Sequence, residues 1–186
     1  MPVSTRERIL DVAASLFYEK GVGGVGINEI VATASASKLS LYKYFPSKEH
    51  LVRAMLQEHS DRIHAWLRDE TKDAPPGPGR VLALFDLLMR WFAEPNYGGC
   101  AVINTVTDTR SDPAVTAIAR EHLVRYRALL EELLADAKVA DPPRAARQLL
   151  LLIEGASVVA TIDDTATVGA DARAAVVALL GLENVP

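Results

Sequence analysis

The sequence predicts an all-α protein of nine helices, in which a small N-terminal module precedes a larger helical body. Three observations predict this class. Apolar residues recur at helical spacing along most of the chain, and Gly and Pro clusters separate the segments. The apolar run 149–153 lacks the partner runs and hairpin turns that strands need. A chain of 186 residues, 49% hydrophobic and 24% charged, has the composition of a folded globular protein.

The first three predicted helices are close together in the chain. The first covers residues 4–20 and ends at Gly21, a natural C-terminal stop. The second covers residues 27–34, and the third covers residues 38–45 and ends before Pro46. Two short helices separated by three small residues have the spacing of a helix-turn-helix.

A long fourth helix is predicted over residues 47–72, with Ser47 as its N-cap. It connects a module of residues 1–46 to a body of residues 47–186. Three prolines and two glycines in residues 73–79 end it. The later helices are predicted over residues 80–93, 100–109, 113–139, 142–162 and 171–180.

Charge is uneven along the chain, whose net charge is −4. Residues 1–56 carry seven Lys and Arg against five Asp and Glu, so this part is at +2 and the rest at −6. A basic N-terminal module is compatible with a polyanionic partner, although so small an excess is weak evidence alone.

The single Cys100 excludes an internal disulfide framework and a zinc site built on several cysteines. The N-terminus lacks the apolar stretch of a secretory signal, and the longest apolar region, residues 149–162, is shorter than the roughly 20 residues of a membrane helix. We therefore expect a cytoplasmic protein that does not use a membrane.

The third helix has one face for packing and one for recognition. At 100° per residue, Leu41, Tyr44 and Phe45 cluster on the face predicted to pack on the first two helices. The helix is short enough for its opposite face to enter a DNA major groove. There a lysine can donate to guanine, a leucine can contact a thymine methyl and a tyrosine can donate to a phosphate. The predicted DNA-contact residues are Asn28, Ser37, Lys38, Leu39, Ser40, Tyr42, Lys43 and Lys48.

Residues 5–55 resemble the DNA-binding domain of the TetR family of bacterial transcriptional regulators, and the run 41–49 (LYKYFPSKE) is close to that family's most recognisable segment. Residues 8–14 and the Lys20-Gly21 stop also match. The resemblance implies a TetR-like architecture in which residues 37–44 form the recognition helix and the body is a helical ligand-binding and dimerisation domain. The segment 98–104 is similar to a glycine-cysteine start of helix 6 in part of the family.

Three positions depart from the family pattern. Gly26 replaces the usual Ser or Thr N-cap of the second helix, which also contacts phosphate. Ser35 replaces a turn glycine, and Leu39 replaces a small residue on the recognition helix. These departures leave open whether the operator contacts are weakened or redirected.

The body contains polar residues in apolar surroundings, and a lone carboxylate such as Glu154 is costly there unless it finds a partner. One interpretation is a pocket for a small, mostly apolar effector of unknown identity. The alternative is that the aromatic residues are plain core and that Glu154 faces water or a second subunit. The predicted pocket residues are Trp91, Phe92, Cys100, Ile103, Asn104, Val106, Tyr126 and Glu154.

The last two helices are apolar on more than one face, which favours burial against a second copy of the chain. A two-fold dimer places two recognition helices on one duplex and predicts a palindromic double-stranded DNA operator. The predicted interface residues are Leu152, Gly155, Ala156, Val159, Ala172, Val176, Leu179 and Leu180.

No catalytic residue, metal site or cofactor is predicted. The glycines of residues 21–26 follow a helix and lack a Gly-Lys-Ser/Thr ending, which argues against a phosphate loop. Cys100 is expected to be a small buried residue rather than a sensor thiol. The four histidines are predicted to be solvated surface residues, because none form a metal-binding pair at helical spacing: His50, His59, His64 and His122.

These features predict a homodimeric, ligand-responsive DNA-binding regulator, specifically a repressor that a small effector releases, and not an enzyme. The alternative is a small-molecule-binding or catalytic helical protein whose N-terminal module no longer binds DNA, as the departures at Gly26 and Leu39 would allow. A third possibility is a constitutive DNA-binding protein without an effector.

Overall fold

The computed structural model describes residues 3–109 and 112–182. Within those ranges the chain forms α-helices and no strands, which confirms the predicted class. The helices are α1 Thr5–Gly24, α2 Ile27–Thr33, α3 Lys38–Tyr44, α4 Lys48–Thr71, α5 Pro78–Phe92, α6 Ala101–Asp108, α7 Pro113–Asp136, α8 Pro142–Val159 and α9 Thr165–Leu180.

Two helix ends differ most from the predictions. Helix α1 continues to Gly24, but Gly21 has φ 74° and ψ 156°, so regular α-helix ends at the predicted residue and one more turn follows. Helix α9 begins at Thr165, six residues before the predicted start. The Asp164 side chain accepts a hydrogen bond from the Thr167 backbone N–H at 2.9 Å, and this N-cap starts the helix early.

Capping side chains position the helices of the N-terminal module. Ser4 and Glu7 form a capping box at the start of α1, and Ser37 accepts a hydrogen bond from the Ser40 backbone N–H at 3.0 Å at the start of α3. Gly26 offers α2 no side-chain cap, as predicted. Ser35 has φ 48°, a left-handed conformation in which glycine is favoured, so this position carries backbone strain.

The chain groups into two compact units. The first contains Met1–Arg62 and Ala101–His122, and the second contains Ile63–Cys100 and Leu123–Pro186. The predicted boundary after residue 46 follows chain order, whereas the first unit also includes α6 and the first parts of α4 and α7. Helices α4 and α7 therefore contribute residues to both units.

Each unit has its own apolar core. In the first unit the buried side chains come from α1, α2, α3 and the start of α4, among them Ile9, Phe17, Ile30, Leu41, Phe45 and Leu51. In the second unit α9 packs against α5 and α8, and the fully buried core side chains include Phe85, Leu88, Leu130, Leu134, Leu149 and Val176. Among the described helices, none is both long enough and apolar enough to cross a bilayer.

Candidate DNA-binding surface and effector site

Helix α3 is anchored to the first unit by two side chains. Leu41 is 0% exposed and Phe45 is 2% exposed. Tyr44, predicted to pack beside them, is 41% exposed instead. The chain leaves the helix at Phe45, whose backbone is extended with φ −132°, so the Phe45 ring takes the buried position and Tyr44 stays at the surface.

The outward face of α3 is open, as predicted. Leu39 is 83% exposed and Tyr42 is 46% exposed, while Lys43 is exposed with its ammonium 5.9 Å from the Tyr44 ring centroid. This face presents an aliphatic side chain, a phenol and a cation on a helix of seven residues. The other predicted contact residues on α2 and α3 are exposed at Asn28, Ser37 and Lys38 and half-buried at Ser40.

Lys48 has a structural partner that the sequence did not predict. Its Nζ donates a hydrogen bond to the Val22 carbonyl at 2.6 Å and lies 5.8 Å from the Phe17 ring centroid. These contacts tie the start of α4 to the end of α1. A lysine ammonium has three N–H donors, so the predicted phosphate contact remains compatible with this position.

Two aspartates from α6 and the start of α7 also hold the first unit together. The Asp108 Oδ2 atom accepts the Val22 backbone N–H at 2.9 Å. Arg53 binds Asp112 through two nitrogens, at 3.0 Å from Nε and 2.9 Å from Nη2 to Oδ2. Burial acts to raise the pKa of Asp112, but hydrogen bonds from Arg53 and from the backbone of α7 outweigh it and lower that pKa. These contacts surround a cleft of about 260 Å³.

The second unit contains a chain of aromatic rings. Trp91 lies between Trp66 and Tyr97, with ring centroids 6.2 and 5.2 Å apart respectively. The Tyr97 ring is 4.9 Å from that of Phe92. We call Trp66, Trp91, Phe92 and Tyr97 the aromatic cluster. The Tyr97 hydroxyl donates to the Ser157 carbonyl of α8 at 3.0 Å, which places the cluster beside that helix.

Polar groups border the aromatic cluster. Tyr126 is 4% exposed and meets the His64 ring edge-on at 5.7 Å. Burial raises the pKa of the Tyr126 phenol well above its usual value, and the nearby Glu154, Cys100 and Tyr97 raise it further. Burial also raises the pKa of Glu154 to about 7.

The predicted pocket residues are divided between the two units. Trp91, Phe92, Cys100, Tyr126 and Glu154 belong to the second unit, whereas Ile103, Asn104 and Val106 belong to the first. Asn104 is exposed rather than part of an apolar core, because it lies on the solvent side of α6. Cys100 is half-buried.

Sequence reasoning did not predict three residues that the structure places in or beside the aromatic cluster: Trp66, Tyr97 and His64. The Pro- and Gly-rich segment 73–79 separates Trp66 from Trp91, and Tyr97 lies beyond the end of α5, so no periodic pattern connects these residues.

The prediction of solvated histidines is wrong for most of them. His64 is 4% exposed and His122 is 2% exposed, while His59 is half-buried with its pKa lowered by burial to about 4. The buried Ser60 hydroxyl and His122 Nδ1 share a hydrogen bond of 2.8 Å. Polar partners allow these rings to be buried, and single-sequence periodicity does not reveal such partners. No cluster of His, Cys, Asp or Glu in the part of the chain described here is suited to hold a metal ion.

Helix α8, the turn that follows it and α9 carry exposed apolar side chains, here called the apolar stripe. They are 42 to 86% exposed: Leu151, Val158, Val159, Ile162 and Leu179. Of the predicted interface residues, Gly155, Val159 and Leu179 are exposed, and Leu152 and Leu180 are half-buried. The interface prediction is wrong for three residues that lie in the core of the chain itself: Ala156, Ala172 and Val176. Both faces of these helices are apolar, so periodicity did not distinguish the inner face from the outer one.

The described residues contain one long helix, two short helices of which the second has an exposed outer face, and six further helices. This order defines a helix-turn-helix protein with a helical C-terminal domain. Two family models match the chain. Residues 9–55 match the model of bacterial regulatory proteins of the tetR family, and residues 81–182 match the tetracyclin repressor-like C-terminal domain. The chain belongs to the TetR family of bacterial transcriptional regulators.

Curated relatives match part of the chain. The HTH-type transcriptional repressor NemR of Escherichia coli is 33% identical over 104 residues, which cover 53% of this chain and 51% of the relative. The HTH-type transcriptional activator FasR of Mycolicibacterium smegmatis is 27% identical over 112 residues, covering 60% of this chain and 50% of the relative. The matched part thus spans about half the length of these relatives.

Solved structures match almost the whole chain. SCO4454, a TetR-family transcriptional regulator from Streptomyces coelicolor, has a TM-score of 0.89 and 28% identity, with 95% of this chain and 94% of the other covered. The reduced form of E. coli NemR has a TM-score of 0.85 and 25% identity, with 92% and 94% covered.

Proposed function

We propose that this protein is a homodimeric transcriptional repressor of the cytoplasm that binds a palindromic operator and leaves it when a small effector binds. The observation that carries the DNA-binding part is the outward face of α3. Two anchors, Leu41 and Phe45, fix the helix, while Leu39, Tyr42 and Lys43 face solvent. The family to which the chain belongs supports the regulatory role.

The chemistry of the α3 face suits the major groove. Lys43 can donate to guanine O6 and N7, Leu39 can pack on a thymine methyl, and the Tyr42 hydroxyl can donate to a phosphate. Seven residues give α3 a length of roughly 10 Å, compatible with insertion into a groove about 12 Å wide. Lys38 and Lys48 add positive charge at the edges of the same surface.

A dimer accounts for the apolar stripe of α8 and α9. Leu151 is 74% exposed and Ile162 is 86% exposed, which is costly in water for large aliphatic side chains that lie on one surface. A two-fold interface buries the stripe of one protomer against the same stripe of its partner. Two copies of α3 then read the two halves of a palindrome.

An effector acts by preferring one arrangement of the protein. A ligand that binds the DNA-incompetent arrangement more tightly weakens operator binding by the same differential free energy. Helices α4 and α7 contribute residues to both units, so they are the elements through which we expect this coupling to act. A coupling of about 1–3 kcal/mol changes operator affinity roughly 5- to 150-fold.

Fluorescence anisotropy with a labelled palindrome from the gene's own upstream region tests the proposal. Lys43→Ala should lower the ratio of palindrome affinity to scrambled-duplex affinity by roughly 5- to 150-fold per half-site. Lys72→Ala is a matched control, because it removes the same charge from an exposed residue of the second unit that pairs with Asp69. An unchanged preference in Lys43→Ala would refute the role of Lys43, and equal binding of all duplexes by the wild type would favour a protein that no longer reads DNA.

A further inference from the structure

The aromatic cluster supplies a surface that attracts positive charge. Its four rings come from α4, α5 and the segment after α5, and neighbouring centroids lie between 4.9 and 6.2 Å apart. Trp91 and Tyr97 meet edge to face, with an interplanar angle of 81°, so the rings present faces in different directions. An aromatic face carries partial negative charge and attracts ammonium groups.

Glu154 brings a carboxylate to the same place. It lies one helical turn before Ser157, whose carbonyl accepts the Tyr97 hydroxyl and whose own hydroxyl donates to the Glu154 carbonyl at 2.9 Å. Glu154 also acts electrostatically on the buried Tyr126 phenol. The Glu154 backbone thus lies beside the aromatic cluster, and the charge of its carboxylate acts on the Tyr126 phenol of the same unit.

No cation pairs with Glu154 within the described ranges of the chain, whereas two exposed acids of the same unit have such a partner. In the same unit Asp86 pairs with Arg173 at 2.8 Å, and Glu132 pairs with Arg68 at 2.9 Å. Those acids are exposed and would lose little without a partner. Glu154 is half-buried, so an unpaired charge there carries a desolvation cost that a bound cation would offset.

We propose that the effector is an apolar organic monocation, in which an ammonium-type nitrogen lies between the Glu154 carboxylate and the aromatic cluster. This rests on the proposed ligand-responsive regulator and specifies the chemical class of its ligand. An organic anion would be repelled by Glu154 and by the ring faces. A neutral apolar molecule would bury the carboxyl further and favour its protonated form, so it would gain no charge pairing from Glu154.

The titration of Glu154 supports this assignment. Burial raises the pKa of its carboxyl to about 7, so the charged form is disfavoured while no cation is present. The titratable groups that act on the neighbouring Tyr126 phenol are Glu154, Cys100 and Tyr97, and the His64 ring contacts it. A bound monocation favours the carboxylate and should lower that pKa, which means that its affinity should increase as the pH rises from 6 to 8.

Tryptophan fluorescence provides a direct assay, because the two tryptophans of the chain, Trp66 and Trp91, both belong to the aromatic cluster. The probes are phenyltrimethylammonium and tert-butylbenzene, which have the same shape and differ in one positive charge. We expect the wild type to bind the cation at least about tenfold more tightly than the hydrocarbon, a difference of about 1.4 kcal/mol by the standard conversion. Glu154→Gln should remove this preference and Glu132→Gln should keep it.

Three results would overturn the proposal: equal affinity for both probes, a cation preference that persists in Glu154→Gln, or no response to either probe up to its solubility. Circular dichroism of Glu154→Gln establishes that the variant is folded before its affinity is interpreted. Operator binding separates this test from the proposed function. If the wild type binds its palindrome but ignores the cation, the ligand class is wrong and the regulator stands. If no palindrome is bound, the regulator itself is wrong.

Discussion

Replacing Glu154 by Gln should stabilise the protein, and the gain should increase with pH. Burial holds the pKa of Glu154 at about 7 in the folded chain, against a usual value of 4.5. The unfolded chain therefore loses its proton first as the pH rises, so folding stability falls between about pH 4.5 and pH 7 and stays low above it. At 1.36 kcal/mol per pKa unit, the carboxylate costs about 1 kcal/mol at pH 5 and about 3 kcal/mol at pH 8.

Thermal unfolding of the wild type and Glu154→Gln at both pH values measures this difference. For a chain of this size, about 3 kcal/mol corresponds to a melting temperature higher by roughly 6–12 °C at pH 8. The gain at pH 5 should be about a third of that. Glu132→Gln, which changes an exposed acid paired with Arg68, should follow the wild type at both pH values. Superimposable profiles for Glu154→Gln and the wild type would show that the carboxylate is solvated or paired, and the reasoning would fail.

Three further substitutions test the first unit. Ser35→Gly should raise the free energy of unfolding by about 0.5 kcal/mol in urea, because it relieves the strain of φ 48° at some cost in chain entropy; a loss of stability would contradict this. Gly26→Ser should add a few tenths of a kcal/mol to the free energy of unfolding by capping α2, because nothing lies within 4 Å of the new Cβ. It should also tighten operator binding in an anisotropy titration, and weaker binding would argue against a phosphate contact there. Asp108→Ala should lower the free energy of unfolding by about 1 kcal/mol in the same urea assay, because it removes the acceptor of the Val22 N–H. Asp108→Asn keeps an oxygen acceptor and should keep most of that stability. Equal losses in both variants would assign the effect to charge.

Local signals made the N-terminal module predictable from the sequence. Pro46 ends α3, because proline fixes its own φ and has no N–H to donate. Gly21 ends the regular helix of α1, because glycine adopts a positive φ without steric cost. The outward face of α3 followed from helical periodicity alone. Tyr44 was misplaced because the helix ends at that residue, and periodicity does not apply beyond the end.

The body was less predictable because its decisive contacts are distant in sequence. The aromatic cluster joins Trp66 to residues 91–97, and the buried His122 depends on Ser60, 62 positions away. In the last two helices, Ala172 and Val176 face inward while Leu151 and Leu179 are exposed. Composition gives both sets the same hydrophobic character, so only packing distinguishes them.

If α3 binds an operator as proposed, Leu39 adds a component to recognition that salt does not control. Lysine contacts with phosphate weaken as counterions are added, whereas covering an 83% exposed leucine removes apolar surface from water and lowers the heat capacity. If Leu39 covers a thymine methyl, deoxyuridine at that base pair should reduce affinity by a similar factor at low and at high ionic strength. This protein would then keep its preference for one base under salt conditions that abolish most of its attraction to DNA.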